Sequence, residues 1–135
     1  MKKQTMHPRD RVYPGPPAVF VFGSNLAGIH GAGAAKYAYD NLGAWWSEGS
    51  GRTSEHSYAI PTKDAALATM SLVRIAIYVD KFREYAAHRL VRKFFVTRIG
   101  CGLAGYDDKD IAPLFRDMPY NVTLPIGWEN PGLWC

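Results

Sequence analysis

The chain has 135 residues, of which 47% are hydrophobic and 21% are charged, and its formal net charge at pH 7 is +4. This length suits one domain, and the apolar fraction is that of a globular protein rather than a disordered one. No apolar stretch approaches the ~20 residues that cross a bilayer, and the basic N-terminus lacks the apolar core of a signal peptide. The two cysteines, Cys101 and Cys135, make no disulfide framework. We therefore predict a cytoplasmic protein with free thiols and no membrane partner.

The N-terminal segment is rich in proline. Residues 1–17 are predicted to form a tail, because closely spaced prolines disfavour both helices and central strands. Residues 18–135 are predicted to form a single domain. It begins with a continuous apolar run over residues 18–22, which is typical of a strand buried on both faces.

Helices and strands then alternate along the chain. Apolar periodicity and capping residues predict helices over residues 34–42, 71–87 and 108–115 and strands over residues 57–60, 93–99 and 121–124. Pro61 is expected to end the second strand, and residues 47–55 are expected to form a loop. This alternation predicts an α/β fold of three layers, with a largely parallel central sheet flanked by helices.

Three of the predicted strands end in unusual segments, at residues 23–33, 61–64 and 100–106. In parallel α/β sheets, ligands bind beyond the carboxyl ends of the strands. Because the carboxyl ends of parallel strands lie at one edge of the sheet, we expect these three segments to form one pocket.

The first segment belongs to the run FGSNLAGIHGAGAAK. Its small residues allow backbone N–H groups to approach a phosphate at the start of the following helix. The glycine spacing is not that of the dinucleotide-binding fingerprint, and no P-loop Gly-Lys-Ser or Gly-Lys-Thr follows. The amide of Asn25 can hold a ribose hydroxyl or can bond its own turn. His30 can orient a ligand, act as a base or contact a neighbouring loop.

The other two segments carry ionisable side chains and further glycines. Lys63 is a candidate nucleophile or anion clamp, and Asp64 is a candidate base or a partner for Lys63, unless both lie in a surface turn. The glycines of residues 100–106 can wrap a diphosphate, Tyr106 can contact a sugar, and Arg98 can clamp phosphate or be structural. The spacing of the histidines and cysteines predicts no metal site and no catalytic thiol.

The three motifs FGSNLAGIHGAGAA, IPTK and RIGCGLAGY occur in the order found in the macrodomain family, and they resemble its loops over residues 18–117. They are most similar to the branch that removes ADP-ribose from nucleic acid or acidic side chains. The resemblance implies an ADP-ribose-binding fold, Lys63 as the catalytic lysine, and no cofactor. We expect the ligand-binding residues to be Gly23, Asn25, His30, Gly31, Ala32, Gly33, Thr62, Gly100, Cys101, Gly102, Leu103, Ala104, Gly105 and Tyr106.

Two departures from the family pattern affect these expectations. Some relatives carry an aspartate where this chain has Ala104, so Lys63 is expected to act alone or with Asp64. The family also reads adenine with an aspartate that follows a strand before the first loop, a place occupied here by the predicted tail of residues 1–17. The expected ligand is therefore ADP-ribose or a related NAD-derived nucleotide.

The sequence leaves three functions open. The first is hydrolysis of ADP-ribosyl linkages on nucleic acid or protein. The second is a binding module that sequesters ADP-ribose-type signalling nucleotides without turnover. The third is an interaction domain whose pocket is degenerate and whose C-terminal Trp128 and Trp134 dock a partner.

Overall fold

The computed structural model describes residues 4–128. The strands are β1 (Met6–His7), β2 (Val19–Asn25), β3 (Gly51–Ser54), β4 (Ser57–Lys63), β5 (Phe94–Val96) and β6 (Val122–Pro125), and the helices are α1 (Gly33–Leu42), α2 (Leu72–Ala87) and α3 (Asp108–Ile111). Two 3-10 turns cover Asp10–Val12 and Ala112–Phe115. The strands form one six-stranded sheet in the order β1-β6-β5-β2-β4-β3. Every pairing is parallel except that of β3 with β4. The predicted α/β architecture is therefore confirmed.

Strand β2 explains why the sheet lies between two helical layers. Its alternate side chains enter two separate apolar clusters, because successive side chains of a strand point to opposite faces. Val19 and Val21 pack with the buried face of α2, whereas Phe20 and Phe22 pack with Ala35 and Ala38 of α1. Burying an apolar side chain of this size stabilises the fold by about 1.5–3 kcal/mol, so a continuous apolar run suits a strand covered on both faces.

Helix α2 begins and packs as its sequence pattern predicts. The side chain of Ser71 caps its first turn by accepting a hydrogen bond from the Arg74 N–H at 3.3 Å. The buried face comprises Ile75, Val79, Phe82 and Ala86, which recur at helical spacing.

The N-terminal segment differs from its prediction as a tail. Met6 and His7 form strand β1 at the edge of the sheet, opposite Leu124 and Pro125 of β6. His7 is buried, its Nε2 lies 2.6 Å from the Val96 carbonyl oxygen, and its ring stacks on Phe95 at 4.0 Å. The prolines after His7 do not prevent this pairing, because the two-residue strand ends before the first of them.

Strands β3 and β4 also differ from the predicted loop and strand. Strand β3 is short, polar and at the sheet edge, so it lacks the apolar alternation that marks a half-buried strand. Strand β4 continues through Pro61 to Lys63. No residue of β3 lies opposite Pro61, since the pairing ends with Gly51 opposite Ala59. At Pro61, strand β4 is therefore paired with β2 but no longer with β3, so the missing N–H of the proline breaks no hydrogen bond to β3.

Trp128 does not form the exposed docking surface that its sequence position suggested. Its side chain is 1% exposed and packs against Phe115 at a ring distance of 5.2 Å. Its indole N–H also donates to the Asp108 carboxylate at 2.8 Å. Trp134 and Cys135 lie outside the described residues.

Within residues 4–128, no helix is both long enough and apolar enough to cross a membrane.

Candidate functional site

The three predicted loops line a single cleft of about 520 Å³ beyond the carboxyl ends of β2, β4 and β5. The predicted residues that line it are Gly23, Asn25, Gly31, Ala32, Gly33, Thr62, Lys63, Gly100, Gly102, Leu103 and Ala104. The convergence inferred from strand order is therefore present in the structure. The lining also includes Asp10, Ser24, Ile29, Ala34, Ala35, Leu67, Thr97, Arg98 and Ile99.

Helix α1 presents its N-terminus to this cleft. The N-cap residue Ala32 offers no side-chain hydrogen bond, and the first turn contains no acidic residue. Gly33 has a φ of +60°, a conformation that favours glycine. The first N–H groups of any helix lack partners within the helix. An uncapped helix start beside an open cleft is a place where an anionic ligand can supply the missing acceptors.

The third loop brings a second run of small residues to the cleft. Gly100 has a φ of +80°, and a Cβ there would lie 2.9 Å from the Ile111 side chain, so glycine is required by the packing. Gly102 is different, because a Cβ there would meet nothing within 4 Å. The space beside Gly102, which lines the cleft, is therefore not filled by the protein's own atoms.

Lys63 is the last residue of β4 and is paired with Asn25 at the end of β2. Its carbonyl oxygen accepts a hydrogen bond from the Leu26 N–H at 3.0 Å, which ties the first loop to the lysine. The side chain is partly exposed and lines the cleft. No hydrogen bond or ion pair engages its ammonium group within the part of the chain that the structure describes, so that group is available to a ligand.

Asp64 does not accompany Lys63 into the cleft. Its carboxylate accepts hydrogen bonds from the N–H groups of Ala66 and Ala68 at 2.9 and 3.0 Å. These bonds close the turn that follows β4, and the side chain is absent from the cleft lining. One carboxylate oxygen of Asp64 is therefore engaged by the local turn, and the role of Asp64 as a catalytic partner stays a prediction.

His30 is likewise directed away from the cleft. It is 1% exposed, its Nε2 lies 2.9 Å from the Trp45 carbonyl oxygen, and its ring contacts Phe22 and Trp46. Of the roles open to His30, contact with a neighbouring loop is the one seen in this structure, where His30 joins the first loop to the segment that follows α1.

Three predicted residues of the third loop also lie outside the cleft lining. The Tyr106 hydroxyl donates to the Met70 carbonyl oxygen at 2.6 Å, and its ring packs on the core. The N–H of Gly105 donates to the Gly102 carbonyl oxygen and closes the loop. Burial raises the pKa of the Cys101 thiol to about 12, and the Asp108 carboxylate adds to this shift. Cys101 is therefore a neutral thiol that packs on the core and lies outside the cleft lining.

Asn25 and Thr62 line the cleft with side chains that already have partners. The Asn25 amide donates to the Ile29 carbonyl oxygen at 2.9 Å and accepts from the Ile29 N–H at 3.0 Å. The Thr62 hydroxyl is 3.4 Å from the Ser24 carbonyl oxygen. Of the two roles open to Asn25, bonding of its own turn is the one seen in this structure.

Asp10 is the main residue of the cleft that the sequence did not reveal, because it falls within the segment predicted as a tail. Its carboxylate oxygens accept the Arg98 N–H at 3.1 and 3.3 Å. Burial raises the pKa of Asp10, although the same hydrogen bond and the charges of His7 and Arg98 oppose the shift. The Arg98 guanidinium instead pairs with Asp108 at 2.8 Å, so its side chain is structural.

Within residues 4–128, no group of three or more metal-ligating side chains is present.

No protein-family model matches the sequence, and no curated protein matches it either. Three solved structures match in fold. One is Thermosipho africanus DarTG in complex with ADP-ribose, with 14% identity, a TM-score of 0.56 and 80% of this chain aligned. This chain covers only 38% of that DarTG chain.

The other two are of similar length to this chain. A protein of unknown function from Bacteroides thetaiotaomicron has 15% identity and a TM-score of 0.52, and the match covers 92% of this chain and 98% of that one. A macrodomain protein from Streptomyces coelicolor has 16% identity and a TM-score of 0.51, with coverage of 91% and 98%. At these identities the likeness concerns the fold alone, and the fold is that of a macrodomain.

Proposed function

We propose that the cleft binds ADP-ribose or a closely related NAD-derived nucleotide, and that the protein hydrolyses the bond between the distal ribose and an attached nucleic acid or protein. The observation that carries this proposal is one cleft lined by an uncapped helix start, a glycine-rich loop and an unpaired lysine. The fold match to DarTG in complex with ADP-ribose supports the ligand class.

The diphosphate is assigned to the start of α1 and to the third loop. Residues 31–35 and Gly102 line the cleft, and both segments offer small residues past which backbone N–H groups can reach phosphate oxygens. The helix dipole favours negative charge at this end of α1.

The reaction is assigned to the end of β4. In the overall hydrolysis, water breaks the bond from the distal ribose C1″ to the attached group, which yields free ADP-ribose and the protonated acceptor. The Lys63 amine can attack C1″ before water does, or its ammonium form can stabilise the charge on the departing group. The other ionisable side chains in the cleft lining are Asp10 and Arg98, and both are already hydrogen-bonded.

Replacement of Lys63 tests the catalytic assignment. We expect Lys63→Ala to abolish release of ADP-ribose from an ADP-ribosylated oligonucleotide or peptide, while the Kd for ADP-ribose changes by less than about tenfold. Mass spectrometry of the products and calorimetric titration measure the two effects. Lys109→Ala is the matched control, because it removes the same charge from an exposed position outside the cleft. Turnover by Lys63→Ala at the wild-type rate would refute the assignment.

The adenine end is assigned to Asp10. In the macrodomain family an aspartate before the first loop reads adenine, and β1 followed by Asp10 supplies that arrangement here. The carboxylate keeps lone pairs beyond those used by the Arg98 N–H, so it can accept a hydrogen bond from the adenine amino group.

The amino group of the base tests this assignment. We expect inosine-diphosphate ribose, which has an oxygen in place of that amino group, to bind the wild-type protein about tenfold more weakly than ADP-ribose. Asp10→Ala should bind the two ligands with similar affinity. Calorimetric titration of both ligands into both proteins provides the comparison, and equal affinities for the wild-type protein would contradict the assignment.

A binding module without turnover is the second candidate function. It is favoured by the position of Asp64, which bonds its own turn and does not line the cleft beside Lys63. Tight binding of ADP-ribose combined with intact ADP-ribosylated substrate after long incubation would select this function over hydrolysis.

A further inference from the structure

One side of helix α2, together with the turn that ends it, alternates basic and aromatic side chains. The residues follow one another at intervals of three or four, which keeps them on the same side of a helix. The basic members are exposed, whereas the aromatic members are partly exposed and pack on the core. We call this set the basic stripe, and its members are Arg74, Tyr78, Lys81, Tyr85 and Arg89.

The cations of the basic stripe contact its tyrosine rings. The Lys81 Nζ lies 5.1 Å from the centre of the Tyr78 ring, and the Arg89 guanidinium carbon lies 3.7 Å from the centre of the Tyr85 ring. Cation–π contacts of this kind hold a charged group in place without neutralising its charge. Because Arg89 is exposed, its guanidinium remains accessible on the side away from the ring. Bases stack on guanidinium planes, and phosphates bind them through parallel hydrogen bonds.

No carboxylate neutralises the basic stripe. Within residues 4–128, none of its three cations takes part in an ion pair. The two acidic residues of α2, Asp80 and Glu84, each precede a member of the stripe by one position, which turns them by about 100° around the helix axis. Asp80 also pairs with Arg83 at 2.5 Å. The stripe is therefore a positive surface that an anionic partner can complement.

The basic stripe begins beside the cleft and leads away from it. The N–H of Met70, two residues before α2, donates to the carbonyl oxygen of Thr62 at 2.8 Å, and Thr62 lines the cleft. At 1.5 Å per residue, the stripe from Arg74 to Arg89 is about 22 Å long. Stacked nucleotides of one strand advance by about 3.4 Å each, so this length corresponds to about six nucleotides.

We propose that the basic stripe is a binding surface for single-stranded nucleic acid, which pairs its phosphates with Arg74, Lys81 and Arg89 and stacks an unpaired base on the Arg89 guanidinium. Alternation of cations and aromatic rings is the arrangement that suits a single strand, because its bases are free to stack while its backbone is anionic. The surface lies outside the cleft and needs no reaction at Lys63. A strand joined to a nucleotide in the cleft could continue along α2, a consequence that rests on the function proposed for the cleft.

Fluorescence anisotropy with an unmodified single-stranded oligonucleotide of about 12 nucleotides tests the surface. We expect saturable binding at low salt, with the logarithm of the association constant falling against the logarithm of salt concentration at a slope of about −2, since each neutralised phosphate contributes about −0.7. The triple variant Arg74→Gln, Lys81→Gln, Arg89→Gln should bind about tenfold more weakly or worse and lose most of this slope. Its affinity for ADP-ribose and its thermal midpoint should be unchanged.

A matched triple variant controls for net charge. Arg9→Gln, Lys109→Gln and Arg116→Gln together remove the same three charges from exposed positions outside the basic stripe. This variant should bind the oligonucleotide nearly as the wild-type protein does. Absence of saturable binding by the wild-type protein, or equal losses in the two triple variants, would overturn the proposal.

The choice of polymer is tested with two competitors of similar charge. A duplex of the same sequence and a polyglutamate peptide should both displace the single strand poorly, because neither offers unpaired bases. Stronger displacement by either one would assign the surface to duplex or to acidic protein and overturn the proposal. If ADP-ribose fails to bind the protein, the function proposed for the cleft fails, whereas single-strand binding that depends on the stripe would still support this surface.

Discussion

Among single residues, the glycines of the site serve two different purposes. A Cβ on Gly49 would lie 1.8 Å from the Asn25 carbonyl oxygen, and one on Gly28 would lie 2.2 Å from the Ser47 carbonyl carbon. These two glycines allow the segment after α1 to pack directly on the first loop. Gly102 lines the cleft and has open space where a Cβ would lie, so no packing contact requires glycine there.

This contrast can be tested with two substitutions. We expect Gly102→Val to weaken ADP-ribose binding by about tenfold or more, with an unchanged midpoint of thermal unfolding, because the new side chain enters the cleft alone. Gly49→Ala should lower the free energy of unfolding by about 2 kcal/mol or more, because it forces two backbone segments apart. Calorimetric titration and thermal unfolding measure the two effects. Ala87→Val, at an exposed position outside the cleft, is the control for added bulk, and normal binding by Gly102→Val would remove Gly102 from the site.

Residue identity alone did not reveal which loop side chains point into the cleft. Asp64 and His30 have the chemistry of catalytic groups, yet a turn and a buried hydrogen bond engage them. The positions of Asn25 and Lys63 were easier to predict, because these residues end two adjacent parallel strands and the sheet pairs them. The sequence therefore predicted the location of the cleft well and the orientation of its side chains less well.

Among the elements, α3 connects the third loop to the end of the described chain. One oxygen of Asp108, at the start of this helix, is 2.8 Å from both the Arg98 guanidinium and the Trp128 indole nitrogen. Burial acts to raise the pKa of Asp108, but the hydrogen bonds from Trp128 and Arg98 lower it below the usual value of 3.8. The negative charge is therefore stabilised by folding.

The direction of this shift predicts a pH dependence of stability. Since the pKa of Asp108 is lower in the folded state, its contribution is fully present above the unfolded pKa of 3.8 and is lost as the pH falls through the lower folded pKa. We expect Asp108→Asn to lower the thermal midpoint clearly at pH 7 and much less at low pH. Glu84→Gln, at an exposed position on α2, is the control for loss of one charge. A pH-independent effect of Asp108→Asn would argue against this account.

The elements that the sequence missed are those with the least apolar pattern. Strand β3 is polar and β1 has only two residues, so neither gives the alternation that identifies a strand. The longer β2 and α2 bury continuous or periodic apolar faces, and they were predicted within three residues at each end. Pro61 was expected to end β4. The strand continues because β3 has already ended at this point, so the proline interrupts no hydrogen bond between β3 and β4.

For the whole molecule, β1 extends the sheet and positions Asp10 beside the cleft. Strand β1 covers β6, and the N–H groups of Leu124 and Ile126 donate to the carbonyl oxygens of Thr5 and His7. The N-terminal segment thus belongs both to the sheet and to the wall of the site.

Truncation tests this dual role. We expect deletion of residues 1–8 to lower the free energy of unfolding by about 2 kcal/mol, because two strand hydrogen bonds and the buried His7 ring are lost. It should also weaken ADP-ribose binding, since Asp10 loses its support. Deletion of residues 1–3 is the control and retains these contacts. Chemical denaturation and calorimetric titration measure the changes, and an unchanged free energy of unfolding would show that β1 contributes nothing to the fold.

The uncapped N-terminus of helix α1 makes the stability of the fold depend on whether an anion occupies the cleft. Ala32 provides no cap, so an anion bound there would complete the helix in the way that a serine or aspartate does elsewhere. A ligand that binds only the folded chain adds about 2.7 kcal/mol of stability at a free concentration of 100 times its Kd. The protein without a ligand would then be the less stable form, and its free energy of unfolding would rise with the concentration of any anion that binds the cleft.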